Sequence, residues 1–218
     1  MTEQESRLNL GDFRTALKRA ALFTSSGGSG RPVLESVRIK FSGDSIRFDA
    51  ADGYKLAVQR MDATRIVGAG DAAAMLTNSD VATLLKALPK TVASDTDEIA
   101  ITIGEFAGAD PITIVHRWND DEREREQRWD FIAYPGTFPD IARVIPREQD
   151  THGAQHIAID AKHANAVNKA ALVTRGAAGT VRWYFGDGDK SPAVALVGDS
   201  FVAVVMPLFV DWPNVSAD

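Results

Sequence analysis

Asp12-Phe13-Arg14-Thr15-Ala16-Leu17-Lys18-Arg19-Ala20-Ala21-Leu22 is the stretch from which the rest of the chain can be read. Phe13, Leu17 and Ala20 or Ala21 recur at helical spacing and make one apolar stripe, with Arg14 and Lys18 four residues apart on another side. Asp12 stands where a carboxylate caps free backbone N–H groups and meets the positive helix end. The pattern after this helix changes to alternation. Residues 37–41 alternate apolar and basic, Ser42-Gly43-Asp44 turns the chain into residues 46–50, and Asp52-Gly53 turns it again into residues 54–58.

The same order recurs twice. Asp80 precedes a stripe of Val81, Leu84, Leu85 and Leu88 that Pro89 ends, and strands follow at 99–103, 112–116 and 129–134. Asp160 precedes a stripe of Ala164, Val167, Ala171 and Leu172, and strands follow at 181–185, 193–197 and 201–205. Short strands are expected before these two helices, at 73–76 and 156–159. The chain therefore reads as a strand, a helix and three strands, repeated at about 11–63, 73–145 and 155–210. One such unit cannot bury both its sheet and its helix, so the units are expected to pack side by side. The expected class is α+β, with helices on one face and antiparallel sheets on the other. Residues 119–128, rich in Asp, Glu and Arg, read as a solvated loop between strands.

Net charge is −6, which by itself argues against a nucleic-acid binder. Its distribution says otherwise. Residues 13–34, 81–94 and 161–186 hold ten of the 24 bases and none of the 30 acids, and each stretch surrounds an expected helix. Three lysine-bearing surface helices are the plain reading. The sharper one is that the helices share a face that meets phosphate through Arg14, Lys18, Arg19, Arg31, Lys86, Lys90, Lys162, Lys169 and Arg175. Such contact with double-stranded DNA would be salt-sensitive and independent of sequence.

Several classes are set aside. Cysteine is absent, which excludes disulfides and thiolate metal sites and fits a reducing, cytoplasmic setting. The polar N-terminus does not read as a signal peptide, and no apolar run has membrane-spanning length. His152 and His156 stand four apart without an intervening base, so no metal or other cofactor is expected. Asp49 with Asp52, and Gly186-Asp187-Gly188-Asp189, read as turns rather than as an acid pair or a calcium loop. Ser25-Ser26-Gly27-Gly28-Ser29-Gly30-Arg31 lacks the Gly-Lys-Ser/Thr of a phosphate loop, and no nucleophile motif is present, so no catalysis is expected.

Three motifs resemble one family. Asp49-Ala50-Ala51-Asp52-Gly53-Tyr54-Lys55-Leu56-Ala57 is similar to the "ATDGHRLA" stretch of the bacterial DNA polymerase III beta subunit, the DNA sliding clamp. The segment from Tyr134-Pro135-Gly136-Thr137-Phe138-Pro139-Asp140 to Val144-Ile145-Pro146 is similar to that family's "DGEFPDYRRVIP". Val204-Val205-Met206-Pro207-Leu208 is similar to its terminal "YVVMPMRL". The resemblance implies a DNA-clamp fold, with residues 1–146 as one complete clamp-type domain and 147–218 as a third unit with a tail. It implies a non-catalytic processivity factor, associated with the nucleoid, that encircles duplex DNA as a homo-oligomeric ring. It also implies a cleft where polymerase and clamp loader dock through short hydrophobic peptides. Carried over position by position, that cleft is Leu34, Gly53, Tyr54, Lys55, Leu56, Pro139, Val144, Val204, Met206, Pro207 and Leu208.

The departures from the family are specific. Its usual first domain and the first half of its last domain have no counterpart here, Phe209 replaces a terminal Arg, and Ala51 replaces the Thr of "ATDG". With roughly a dozen units in a ring of the family, three per chain point to a homotetramer. The rival expectation is a clamp-like adaptor or competitor that captures the same peptides without encircling DNA.

Overall fold

The computed structural model describes residues 3–27, 30–42, 45–62, 65–67, 71–90, 97–104, 111–120, 123–145, 157–173, 180–186 and 191–208. His152, His156, Arg175, the Gly-Asp run at 187–189 and the tail from Phe209 lie outside these residues. In chain order the elements are β1 (Glu3–Asn9), α1 (Leu10–Ala21), β2 (Ser36–Ser42), β3 (Ser45–Ala51), β4 (Lys55–Asp62), β5 (Arg65–Val67), β6 (Ala72–Thr77), α2 (Asn78–Ala87), β7 (Glu98–Gly104), β8 (Pro111–Asp120), β9 (Arg123–Ile132), α3 (Ala161–Leu172), β10 (Val181–Phe185), β11 (Ala193–Val197) and β12 (Phe201–Val205). The fold is α+β. Its strands make two antiparallel sheets, β5-β1-β7-β8-β9 and β10-β11-β12-β4-β3-β2-β6.

The order of strands shows how the units join. In the first two units the leading strand leaves its own unit: β1 pairs with β7 of the second, and β6 with β2 of the first. Neither unit's sheet is complete without the other. Among the described residues the third unit exchanges no leading strand. In place of the strand expected at 156–159 there is an isolated bridge, Ala158 to Leu208. The third unit instead extends the first unit's sheet through β12, which pairs with β4 from Phe201↔Gln59 to Val205↔Lys55. Strands β10, β11 and β12 are thus continuous with the sheet of the first unit.

The helices form one layer. α1 packs on β2, β3 and β4, α2 on β2 and β6, and α3 on β10, β11 and β12, and α1 touches both other helices. Phe13, Leu17 and Ala20 of α1, Val81 and Leu84 of α2, and Val167 and Ala170 of α3 share one core with Ile39, Phe48, Ala57, Ala195 and Phe201 of the strands. The order across the layer is α2, α1, α3. Leu172, expected on the apolar stripe of α3, is instead 76% exposed, because the helix buries Ala166, Val167, Ala170 and Ala171.

The helix starts differ in detail from expectation. Asn9 caps α1, accepting from the Gly11 N–H at 2.7 Å, and Asp12 sits inside the first turn. Thr77 caps α2 in a reciprocal box with Asp80. Asp160 caps α3 as expected, accepting from the Lys162 N–H at 2.7 Å. Leu88 leaves α2 with ψ 141°, the extended conformation that Pro89 imposes on its predecessor.

The charged stretch at 119–128 is a correction. Most of it belongs to a long hairpin in which Arg117 faces Glu126 and Asn119 faces Glu124. The outer half of β9 is solvated on both faces, so its charges follow strand pairing without the apolar alternation that marks a strand in the sequence.

Arg14 and Arg19, expected to face DNA, are buried. Arg14 donates to the Leu85 and Leu88 carbonyls at 3.2 and 2.7 Å, at the C-terminal end of α2. Arg19 donates to the Ala170 carbonyl of α3 at 3.0 Å and to Gln59 Oε1 at 2.8 Å, and its guanidinium lies 5.3 Å from the centre of the Phe201 ring. Each cation meets the negative end of a neighbouring helix. These arginines hold the helix layer together. Arg19→Ala should therefore cost about 2–4 kcal/mol in urea unfolding, from stranded buried acceptors and a cavity. Lys18→Ala, one position away and exposed, should stay within about 0.5 kcal/mol.

Candidate functional site

The β3–β4 turn begins the site. Gly53 has φ +97°, a conformation open to glycine and strained for other residues. Asp52 accepts from the N–H groups of Tyr54 and Lys55, each at 2.9 Å, and from Lys55 Nζ at 2.7 Å. Burial alone would raise the Asp52 carboxyl; these hydrogen bonds outweigh it and hold the group below the usual carboxylate range. The turn thereby projects Tyr54, 67% exposed, while the Tyr54 carbonyl accepts from the Met206 N–H at 2.9 Å.

A second hydrophobic cluster lies on the sheet face opposite the helices. It holds Leu34, Ala51, Leu56, Met75, Phe138, Ile141, Val194 and Val204. The segment after β9 is folded back to build it. Tyr134 N–H donates to the Met75 carbonyl at 2.9 Å, and Arg38 stands 4.6 Å from the centre of the Phe138 ring. Arg38 and Arg47 both bind Asp49, which is fully buried, at 2.6 and 2.9 Å. Asp49 is therefore part of the scaffold under the site.

A cavity of about 200 Å³ opens over this cluster at the β4–β12 junction. Of the positions carried over from the family, Leu34, Gly53, Tyr54, Lys55, Leu56, Pro139, Val144, Val204 and Met206 line it. Pro207 and Leu208 do not. The chain turns away there, and Leu208 donates to the Ala158 carbonyl at 2.8 Å beside the start of α3. Ala51 and Ile141 also line the cavity and went unremarked as site residues in the sequence, although both sit within the quoted motifs. Arg31, counted among the bases of the helix surface, lines it too, on the side away from the helix layer. Floor and walls are aliphatic, and Tyr54, Val144 and Met206 form an exposed apolar rim. Such a groove suits a short hydrophobic peptide.

The helix layer presents a different chemistry. Among the described exposed positions of the three helices and of residues 88–90 are Lys18, Lys86, Lys90, Lys162 and Lys169, against one acid, Asp12.

No family model matches the chain. The beta sliding clamp of Synechocystis sp. is 30% identical over 133 residues, which is 60% of this chain and 32% of that protein. The sliding clamp of Pseudomonas aeruginosa superposes with a TM-score of 0.71 at 15% identity, over 94% of this chain and 66% of that one. The chain has the fold of the solved bacterial sliding clamps, and 60% of it is similar in sequence to one beta sliding clamp. The Helicobacter pylori beta clamp bound to DNA ligase peptide has a TM-score of 0.71 at 12% identity, over 96% of this chain and 67% of its own. The Bacillus subtilis clamp has a TM-score of 0.66 at 12% identity. The chain thus spans about a third of the curated clamp's length and about two thirds of the solved ones. Among the described residues no helix is long and apolar enough to cross a membrane.

Asp52 gives the turn a pH signature. Folding lowers its pKa, so its contribution is present above the unfolded value, about 3.9, and is lost as pH falls through the folded value. Asp52→Asn keeps the acceptor and removes the charge. Unfolding free energy measured from about pH 5 to pH 3 should fall more steeply in the parent than in this variant. Parallel profiles would remove the charge of Asp52 from the account.

Proposed function

We propose that the chain acts as a sliding clamp: it docks short hydrophobic peptides of a polymerase and a clamp loader in the cleft, and its lysine-bearing helix layer faces duplex DNA in a homo-oligomeric ring. One observation carries this reading. Residues from three separated stretches, around 34, 51–56 and 204–206, meet in one apolar cavity at a sheet junction, and 139–144 closes it. The lysines of the helix layer lie on the opposite face of the same sheet, so peptide and duplex could be held at once. Their contact would be with phosphate, and therefore salt-dependent. Three units per chain suit a homotetramer.

A clamp-like adaptor that captures the same peptides without encircling DNA is the second reading. It gains from the withdrawal of Arg14, Arg19 and Arg31 from the helix surface, which leaves lysines alone to meet phosphate.

Fluorescence anisotropy separates the two. Met206→Asp keeps the backbone bond to Tyr54 and places a charge on the rim. It should weaken binding of a clamp-type hydrophobic peptide by about tenfold or more. Lys18→Glu, Lys86→Glu and Lys169→Glu together should leave peptide affinity unchanged and abolish binding to duplex DNA at low salt. Unchanged peptide affinity in Met206→Asp would misplace the cleft. Unchanged duplex affinity in the triple variant would favour the adaptor.

A further inference from the structure

The chain holds four methionines and no cysteine, so its sulfur chemistry is that of the thioether. Met1 lies outside the described residues, and the other three differ sharply in burial. Met75 is 5% exposed and packs in the cluster under the cleft. Met61, on β4, is half-buried against the main core. Met206 is 39% exposed and belongs to neither hydrophobic cluster. Attack on sulfur follows exposure, so an oxidant should reach Met206 ahead of the other two.

The position of Met206 decides what its oxidation would do. It directly follows β12, and its N–H donates to the Tyr54 carbonyl at 2.9 Å. Two residues on, the Leu208 N–H donates to the Ala158 carbonyl at 2.8 Å. The backbone is thus tied on both sides of Pro207, and the Met206 side chain is held at the cavity beside Leu34, Leu56, Val144 and Val204. Lys55, at the same cavity, already gives its ammonium to Asp52 at 2.7 Å.

A sulfoxide puts a strongly polar S–O bond in place of an apolar thioether. A hydrophobic peptide covering it would bury that oxygen among aliphatic groups as an unpaired acceptor. The free protein keeps the oxygen in water. Oxidation at Met206 therefore acts on binding and spares the fold, whereas oxidation of Met75 would place the same polar group inside a packed cluster.

We propose that Met206 is a reversible oxidation site, through which peroxide closes the peptide cleft and reduction of the sulfoxide reopens it. The proposal rests on the cleft reading above and adds its regulation. In the forward step the sulfur lone pair attacks one peroxide oxygen. The S–O bond forms, the O–O bond breaks, and the second oxygen leaves as water with both peroxide protons. Sulfur gives up two electrons and the peroxide gains them. In the return step a dithiol supplies two electrons and two protons, the oxygen leaves as water, and the dithiol becomes a disulfide. The chain has no thiol of its own, so the reductant is a separate protein of the methionine sulfoxide reductase class. The lysines of the helix layer lie on the opposite face of the sheet and hold no sulfur. Oxidation would then release the peptide and leave contact with duplex unchanged.

The test is titration of the protein with dilute hydrogen peroxide, with oxidised positions mapped by mass spectrometry. A clamp-type hydrophobic peptide is titrated before and after by fluorescence anisotropy. Met206 should gain one oxygen ahead of Met61 and Met75, and saturating peptide should slow that gain. Affinity should fall about tenfold or more and return after treatment with the reductase. Met61→Leu protein should lose affinity on oxidation in the same proportion as the parent. Met206→Leu protein, whatever its starting affinity, should show the same value before and after peroxide. Oxidation of Met61 or Met75 ahead of Met206, or full oxidation of Met206 with unchanged affinity, would overturn the proposal. Failure of the cleft reading looks different: the parent would not bind the peptide even before peroxide, and the proposal would fall with it.

Discussion

The antiparallel contact between β4 and β12 is the constraint on which the rest depends. It brings residues near 55 beside residues near 205, and the sheet it completes has two useful faces. Several interactions fix it besides the ladder. Gln59 Nε2 donates to Ser200 Oγ at 2.9 Å, and the Arg60 N–H donates to the Ser200 carbonyl at 2.8 Å. Phe23 and Phe201 meet edge to face at 5.7 Å on the helix side. Tyr54 stacks on His163 of α3 at 6.1 Å. On one face the junction sets Leu56 beside Val204 and so makes the cleft wall. On the other it brings α3 alongside α1.

Charge is divided between structure and surface in a way that follows from burial. Arginine is suited to buried sites because its guanidinium stays charged and its donors fan out. Arg14 and Arg19 occupy such sites, each closing a helix end. The lysines of the same helices stay at the surface, where a compact ammonium ion is well hydrated. Asp49 does the converse in the sheet, where one buried carboxylate gathers Arg38 and Arg47 under the cleft. A protein with net charge −6 can in this way keep a lysine-bearing layer.

Much of this was legible in the sequence. Helical spacing located α1, α2 and α3, and alternation located the strands that bury one face. The cleft was legible through its motifs, because Asp52-Gly53 is a turn of defined chemistry and Leu56, Val204 and Met206 stand in matching stretches. What escaped were features set by partners distant in the chain. β1 reads Glu-Gln-Glu-Ser-Arg-Leu-Asn and shows almost no apolar alternation; pairing with β5 and β7 makes it a strand. The outer half of β9 escaped for the same reason. Arg14 and Arg19 were counted as surface bases because a helical wheel cannot show that neighbouring helices cover both flanks of α1. Arg31 was drawn into the basic surface by its acid-free neighbourhood, although the short helical turn at Pro32–Glu35 carries it to the cleft.

The β4–β12 contact can be tested by native-state hydrogen exchange, comparing the amides of β10, β11, β12 and α3 with those of β2, β3 and β4. If the junction makes one cooperative body, the most protected amides of both groups should open with the same free energy, within about 1 kcal/mol. Opening of the third unit at a much lower free energy, with β4 still protected, would contradict the account.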